Sequence, residues 1–595
     1  MARTRQAFRT QHCLLYCIAA QLAILIFAFS ALAQQPYPPT TDHPGPAWFV
    51  DVASKAGILV RNVNGSVDAK RYIIEATGSG VAILDYNNDG WPDIFIVNGT
   101  TLPGDKTSST GPAPTSHLFR NNHDGTFTDV TVQAGLVSTG WGQGVCVGDY
   151  DNDGYEDIYV TGYGKNRLFH NQGNGTFKEV AEQAGVAGTG KEWGTGCAFI
   201  DYDRDGKLDL AVANYVHFDL ATTPAPGGNA TCMWKGVAVM CGPRGLDSAP
   251  NILYHNLGNG KFEDVSKASG FEKTNGHYCF SITTLDYDDD GWPDLYVACD
   301  STPAILYHNN HNGTFTDTAE DVGVAFNEDG REQAGMGSTS ADYDGDGKLD
   351  LFKTNFSDDT ATLYHNNGDG TYTDMTFPAG LGVNSDALGW GAMFADVDND
   401  GWPDLLVVNG HVYPEVDSAK LGSFYREPRF LYHNLGNEKF QDVSKTSGPG
   451  LNDPRSSRGL AIADLFNDGR IEAVINNLSD FPMLLVNVAK NNNHWLELHL
   501  IGTTSNRDAI GARVTMRGAK RLWVDEIRSG SSYSSSSDLR LHFGLSTETH
   551  LQSIEVRWPN GETELFDPPT SVDRIIELTE GKGHPQTAAS VPQHP

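Results

Sequence analysis

Basic residues are scarce: 42 Lys and Arg stand against 75 Asp and Glu in 595 residues, a formal charge of −33. That deficit excludes a nucleic-acid partner, whose phosphates need clustered Lys and Arg, and adsorption to an anionic membrane surface. Long apolar runs are nearly absent as well. Cys13–Leu32 is the one such stretch, and nothing after it is long enough to span a bilayer. Cysteine is sparse, eight in all, so no dense disulfide scaffold holds the fold. No Gly-x-Ser-x-Gly elbow, HExxH pair or nucleotide-binding loop is visible. What the chain does have is 65 glycines, many aromatics and a surplus of acid, the composition of a turn-rich all-β protein whose acids are organised for a cation.

The ends are not part of the fold. Arg3, Arg5 and Arg9 precede the apolar run, which exits through Ala31-Leu32-Ala33. This is the layout of a secretory signal peptide over residues 1–33, cleaved after Ala33; an uncleaved N-terminal anchor is the alternative. The mature chain then carries −36 and is secreted, extracellular or periplasmic, with no transmembrane segment. Residues 34–46 read as a Pro-rich linker and 581–595 as a disordered polar tail. Cys232 and Cys241 bracket a short loop and are expected to be bridged, Cys146 and Cys197 to be buried free thiols; a Cys279–Cys299 bridge has only weak support.

Self-similarity decides the fold. A nine-residue acidic loop, as in Asp201-Tyr-Asp-Arg-Asp-Gly-Lys-Leu-Asp209, recurs at Asp85, Asp149, Asp286, Asp342 and Asp396, with an eroded seventh copy at Asp464. A small-residue strand precedes each loop, an apolar strand follows it, and a third strand, of the type Leu253-Tyr-His-Asn256, leads through a Gly/Asn turn to a fourth. Four strands repeated seven times give a seven-bladed β-propeller over residues 47–490. The seventh unit supplies only three strands, and the missing type stands alone at Trp48–Val52. That N-terminal strand is expected to complete the last blade and close the ring.

Loop positions 1, 3, 5 and 9, with Gly at 6, bring hard oxygen ligands to one point, as Ca²⁺ requires; Mg²⁺ is the runner-up because it demands stricter octahedral geometry. The candidate ligands are Asp85, Asn87, Asp89 and Asp93 in the first loop; Asp149, Asp151, Asp153 and Asp157 in the second; and Asp201, Asp203, Asp205 and Asp209 in the third. The fourth offers Asp286, Asp288, Asp290 and Asp294, the fifth Asp342, Asp344, Asp346 and Asp350, the sixth Asp396, Asp398, Asp400 and Asp404. About six calcium sites follow. The seventh loop has Phe466 at position 3, which cannot ligate, so weak or absent binding is expected there.

These units resemble FG-GAP/VCBS repeats, the calcium-binding units of integrin-α-type propellers. Residues 491–580 resemble the ASPIC/UnbV domain through Asn506–Ala512, Gly530–Ser535, Leu541–Gly544 and Val556–Gly561. The resemblance implies an exported calcium-binding protein with adhesion- or matrix-like interactions, and no known substrate. Read without it, alternation at Trp495–Leu500, Arg513–Met516 and Ile554–Trp558 gives a small β domain after the propeller.

Catalytic signals are weak. His170, His255, His308, His365 and His433 fill one slot of the repeat, and a residue needed at one active site has no reason to recur in five blades. They read as structural, and no catalytic residue is assigned. His411 begins a blade insertion and reads as an ordinary loop histidine, with a place in a site lining as the alternative. Binding is expected on the insertions 101–115, 217–249 and 411–429, since loops on a rigid scaffold carry recognition. Trp141, Trp193 and Trp390 read as packing residues, with a ring around one channel mouth as the alternative. The function so read is a non-catalytic interaction module for an extracellular or envelope protein or glycan. The alternative is an exported carbohydrate-active lyase or hydrolase that uses the channel or an insertion.

Overall fold

The structure, a computed structural model, describes residues 36–585 except 41, 42, 44, 67, 68 and 104–112. The leader expected over 1–33, the end of the tail and most of the first insertion lie outside the described residues. Among these residues no helix is long and apolar enough to cross a membrane. The described residues from 39 onward form one compact unit.

Seven antiparallel four-stranded sheets make the blades of a β-propeller. Blade 3 shows the pattern: Gly194–Ile200 innermost, then Asp209–Asn214, Ile252–Asn256 and Phe262–Asp264. The two inner strands are buried along their whole length, because neighbouring blades cover both faces. The outermost strand buries only Phe262 and leaves Glu263 and Asp264 in water. Each innermost strand packs on the next, and the seventh, Ser457–Ala463, packs on the first, Val81–Leu84.

The last sheet takes its outer strand from the other end of the chain: Phe49–Asp51 pairs antiparallel with Met483–Asn487, Val50 opposite Val486. Phe49 is buried in the core of that blade. A chain beginning at Gly57 loses this strand and is expected to melt far below the intact chain; an unchanged melting temperature refutes a closing role.

A second device runs round the ring. The Asn that ends each third strand donates its side-chain N–H to the acidic loop of the preceding blade. Asn171 reaches Tyr86 O at 2.8 Å, Asn256 reaches Tyr150 O at 2.8 Å and Asn309 reaches Tyr202 O at 2.8 Å. Asn366, Asn434 and Asn487 continue to Tyr287, Tyr343 and Val397. Asn121 of blade 1 reaches Leu465 O of blade 7 at 2.9 Å. Replacing Asn366 by Ala strips buried carbonyls of their donor and is expected to cost about 2–4 kcal/mol in urea unfolding. Exposed Asn367→Ala is expected to cost about 0.5 kcal/mol or less.

The C-terminal domain holds a three-stranded sheet, Leu541–Ser546, His494–Ile501 and Arg574–Thr579, and a five-stranded one that includes Arg513–Arg517, Leu522–Glu526 and Ser553–Arg557. It sends residues 529–537 down the propeller axis. Ser532 and Ser338 exchange backbone hydrogen bonds of 2.6 and 3.0 Å in blade 5; Ile83 N of blade 1 donates to Ser536 O, Val145 N of blade 2 to Ser534 O, and Ile462 N of blade 7 to Ser537 Oγ. Gly530 lies on blades 3 and 4 so tightly that a Cβ would stand 2.7 Å from Cys197 O. Tyr533 is fully buried, 4.7 Å from the Trp390 ring of blade 6, and its hydroxyl donates to Thr77 O. The channel is therefore filled by the chain's own serines.

Two insertions, 217–249 and 411–429, cover the opposite mouth, beside the starts of the inner strands. Trp234 of one packs on His411 and Tyr413 of another, at 4.8 and 6.0 Å, and these residues share a core with Tyr533, Trp193 and Trp390. Trp141 packs against the same core, half-buried. His411 is thus a core residue, not an ordinary loop histidine; burial holds it neutral, with a pKa lowered to about 3.

Cys146 and Cys197 form a disulfide, contrary to the expectation of free thiols. They sit on the innermost strands of adjacent blades, a proximity that only the ring creates. Cys232–Cys241 and Cys279–Cys299 are also bridged, the latter across two neighbouring strands.

Candidate metal centres in the acidic loops

Each loop folds round its first carboxylate. In blade 2, Asp149 Oδ1 accepts from Asp153 N at 3.0 Å and Oδ2 from Gly154 N at 2.7 Å; the same pair recurs from Asp85, Asp201, Asp286, Asp396 and Asp464. Asp342 does the same through Gly345 N and Gly347 N. Position 4 turns through the left-handed region, at φ 58° for Asn152 and 59° for Arg204, where Asn and Gly are at home. Its side chain then ties loop to loop: Asn88 donates to Gly154 O, Asn152 to Gly206 O, Asn399 to Gly469 O and Asn467 to Gly90 O. Position 9 opens the next strand. Asp93, Asp157, Asp209, Asp294, Asp350 and Asp404 are all buried there, each accepting from the backbone of the Asn that ends the third strand.

Positions 3 and 5 face the same point as a histidine. Ligand atoms of Asp151, Asp153 and His170 lie within 4.8 Å of one another, as do those of Asp203, Asp205 and His255; Asp288, Asp290 and His308; Asp344, Asp346 and His365; and Asp398, Asp400 and His433. The imidazole Nδ1 also reaches position 9, at 3.0 Å in His255–Asp209 and 2.8 Å in His433–Asp404. The histidine slot is thus part of the acidic centre. Blade 1 has Arg120 in that slot, and His123 contacts Asp89 at 3.1 Å instead.

The electrostatics call for a cation. Burial, then the carboxylates beside them, push Asp201 and Asp342 up to about 8. Burial raises Asp157, Asp209 and Asp350 to about 7 against the lowering effect of the histidine bond. The matching bonds to Asp350 and Asp404 raise His365 and His433 to about 9. Several oxygens at positions 3 and 9 are buried with no hydrogen-bond partner: Asn87 Oδ1, Asp93 Oδ2, Asp203 Oδ1 and Asp288 Oδ1. Orphaned carboxylate and amide oxygens of this kind are what a hard metal ion satisfies, so the donor set fits one.

The seventh loop solves the same problem differently. Arg470, at its position 7, pairs with Asp468 through Nε at 3.0 Å and donates to Asn487 O at 2.8 Å. Loops 3 and 5 carry Lys207 and Lys348 at the same position, and Lys207 pairs with Asp205 in the same way; Arg470 differs in also reaching the backbone of Asn487.

The C-terminal domain sits on these loops. Asp508 accepts from Asp149 N at 2.6 Å, Glu526 from Asp286 N at 3.1 Å, Arg513 donates to Gly347 O at 2.8 Å and Arg557 pairs with Asp286 and Asp289. Sequence patterns missed these contacts, because single side chains from an unrepeated domain leave no periodic trace. The clip Asn is repeated at the end of all seven third strands, but its reach to the preceding blade carries no sequence signal.

The family described as FG-GAP-like repeat matches residues 85–160, 149–212, 239–297, 286–353 and 342–407, and the one described as ASPIC and UnbV matches 502–585. Cartilage acidic protein 1 of Mus musculus is 24% identical over 378 residues, covering 62% of this chain and 52% of that protein. Its Homo sapiens counterpart is also 24% identical, over 62% and 51%. The chain thus spans about half the length of the curated relatives it matches. Among solved structures, an Agrocybe aegerita lectin described as recognising non-reducing terminal N-acetylglucosamine is 15% identical, covering 69% of this chain and 94% of its own, with a TM-score of 0.37.

Proposed function

The chain is an FG-GAP-repeat protein with an ASPIC and UnbV domain, and from that premise we propose that it is an exported, calcium-stabilised, non-catalytic scaffold that binds a protein or glycan. The observation that carries the calcium reading is the set of buried, unpartnered oxygens at loop positions 3 and 9. In this reading the ligands are positions 1, 3, 5 and 9 of the six intact loops, from Asp85 to Asp404. Export rests on the leader read over residues 1–33. The filled channel supports binding over catalysis. Residues 529–537 occupy the axis and two insertions pack over the far end, so the channel offers no open pocket for a substrate.

The test immobilises the calcium-loaded chain from Gln34 onward and challenges it with envelope proteins and matrix glycans. Retention in calcium, release by chelator and no product is the expected result. Turnover of a glycan, lost on changing one side chain while calcium content is unchanged, overturns the non-catalytic reading.

A further inference from the structure

The intact acidic loops share their ligand pattern but not their surroundings. Cations from three elements converge on the loop of blade 4, Asp286 to Asp294. Arg557 of the C-terminal domain pairs with Asp286 Oδ2 and, at 3.0 Å, with Asp289. Arg513 of the same domain lies 3.8 Å from Asp289, and Lys348 of the blade 5 loop lies 3.3 Å from it. Arg204 of the blade 3 loop donates to Gly291 O and stands over the Trp292 ring at 4.1 Å. The acids there that are not candidate ligands, Asp289 and Glu526, are shared among these cations. Glu526 holds Arg513 at 2.9 Å and stands 4.0 Å from Arg557. Positive charge is left in excess beside the candidate ligands.

The other loops differ. In blade 2, among the described residues, the ion-pair partner of the acids is His170, and Asp508 of the C-terminal domain closes on the Asp149 amide. In blade 3, Lys207 pairs with Asp205, but both side chains are partly exposed and free to part. Loops 5 and 6 share the field of Arg521, which forms no ion pair among the described residues. Arg557 alone is a guanidinium seated on a position 1 carboxylate and anchored there by a neighbouring acid. The blade 4 loop still keeps a place for an ion. Asp286 Oδ1 accepts from Asp290 N, Arg557 and Gly291 N take the other oxygen, and Asp288 Oδ1 is buried without a partner.

Resting on the calcium reading above, we propose that Arg557 makes blade 4 the low-affinity calcium site among the five four-Asp loops. A guanidinium on one oxygen of Asp286 leaves less charge for an ion on the other, and like charges a few ångströms apart repel. The coupling is reciprocal, so bound calcium also weakens the hold of Arg557 on Asp286. As calcium falls, this loop empties before those of blades 2, 3, 5 and 6. Arg557 then remains as the cation on Asp286, and the C-terminal domain keeps its contact with the emptied loop.

Calcium titration of the full chain against a chromophoric chelator tests this. Asp288→Asn, which removes a blade 4 ligand, is expected to delete an ion from the weak end of the isotherm. Asp151→Asn, its counterpart in blade 2, is expected to delete one from the tight end. Arg557→Gln is expected to tighten the blade 4 ion about tenfold, a gain that damage to the domain contact cannot produce. Should Arg557→Gln fail to fold, as its melt in saturating calcium would reveal, Lys348→Gln decides, with a gain of about threefold expected. An affinity unchanged in the variant that folds overturns the proposal, as does loss of a tight ion in Asp288→Asn. Six equivalent ions overturn the proposal and leave the calcium reading standing, whereas a chain that binds no calcium overturns both.

Discussion

Chelation is expected to unfold the chain outright. At a hundredfold excess over its dissociation constant, an ion bound only by the folded state contributes about 2.7 kcal/mol, so six contribute about 16 kcal/mol. The net stability of a typical domain is about 5–15 kcal/mol. The metal-free loops also carry a penalty of their own, because carboxylates crowded out of water repel one another. The dependence on pH then has a distinctive sign. In chelator, Asp201 and Asp342 titrate at about 8 and Asp209 and Asp350 at about 7 when folded, against about 3.9 when unfolded. Between those values the folded chain holds the extra protons, so its stability falls as pH rises from about 4 through about 8. Calcium requires the same groups deprotonated, so the calcium-loaded chain gains stability over that range. Melting temperatures followed against pH in calcium and in chelator should diverge as pH rises. Profiles that stay parallel, or a melt near pH 8 that ignores chelator, overturn the six-site reading.

What the sequence revealed is what it repeats. The spacing of Asp85, Asp89 and Asp93, written again in every blade, located the loops, and the lone strand type at Trp48–Val52 anticipated the pairing of Phe49–Asp51 with the last blade. Single-copy features stayed hidden. Residues 529–537 are mostly serine, whose hydroxyls accept almost any polar neighbour, and Tyr533 meets its partner Thr77 across 456 residues of sequence. Nothing local distinguishes such a segment from a surface loop. Cys146 and Cys197 were opaque for the same reason: their partnership depends on two strands becoming neighbours in a ring. The five repeated histidines read as structural, and the blades set them among the acids of each loop, a place without a sequence signal because a third strand and a loop meet only once the blade has formed. Arg470 marks the limit of motif reading. Phe466 announced that the seventh loop had lost a ligand, but not that a guanidinium had taken up the remaining charge.

Cutting the chain after Lys490 should leave no stable propeller, although all seven blades remain. The cut removes the lining's partners on every side. Ser338 loses two backbone hydrogen bonds, Ile83 and Val145 each lose an acceptor, and the space held by Tyr533 between Phe280 and Trp390 is left as a void. It also removes Leu496, Ile510 and Trp558, which share one apolar core with Tyr159 and Phe199 of the blades. Water can enter the vacated channel and meet the freed backbone groups, but it cannot replace the apolar contacts of Tyr533 and of the shared core. Two milder variants separate the plug from the rest of the domain. Tyr533→Ala creates a cavity at a fully buried site and should cost about 3–5 kcal/mol. Gly530→Val drives a side chain into Cys197 O and should displace the loop while leaving the acidic loops their own ligands. Thermal unfolding of the three variants in saturating calcium reads the result. One cooperative transition at lower temperature in both point variants, with no folded truncation product, means that the propeller and its plug fold as one unit. A truncated chain that melts as high as the intact one means the blades are self-sufficient, and the serines then merely occupy a channel that did not need them.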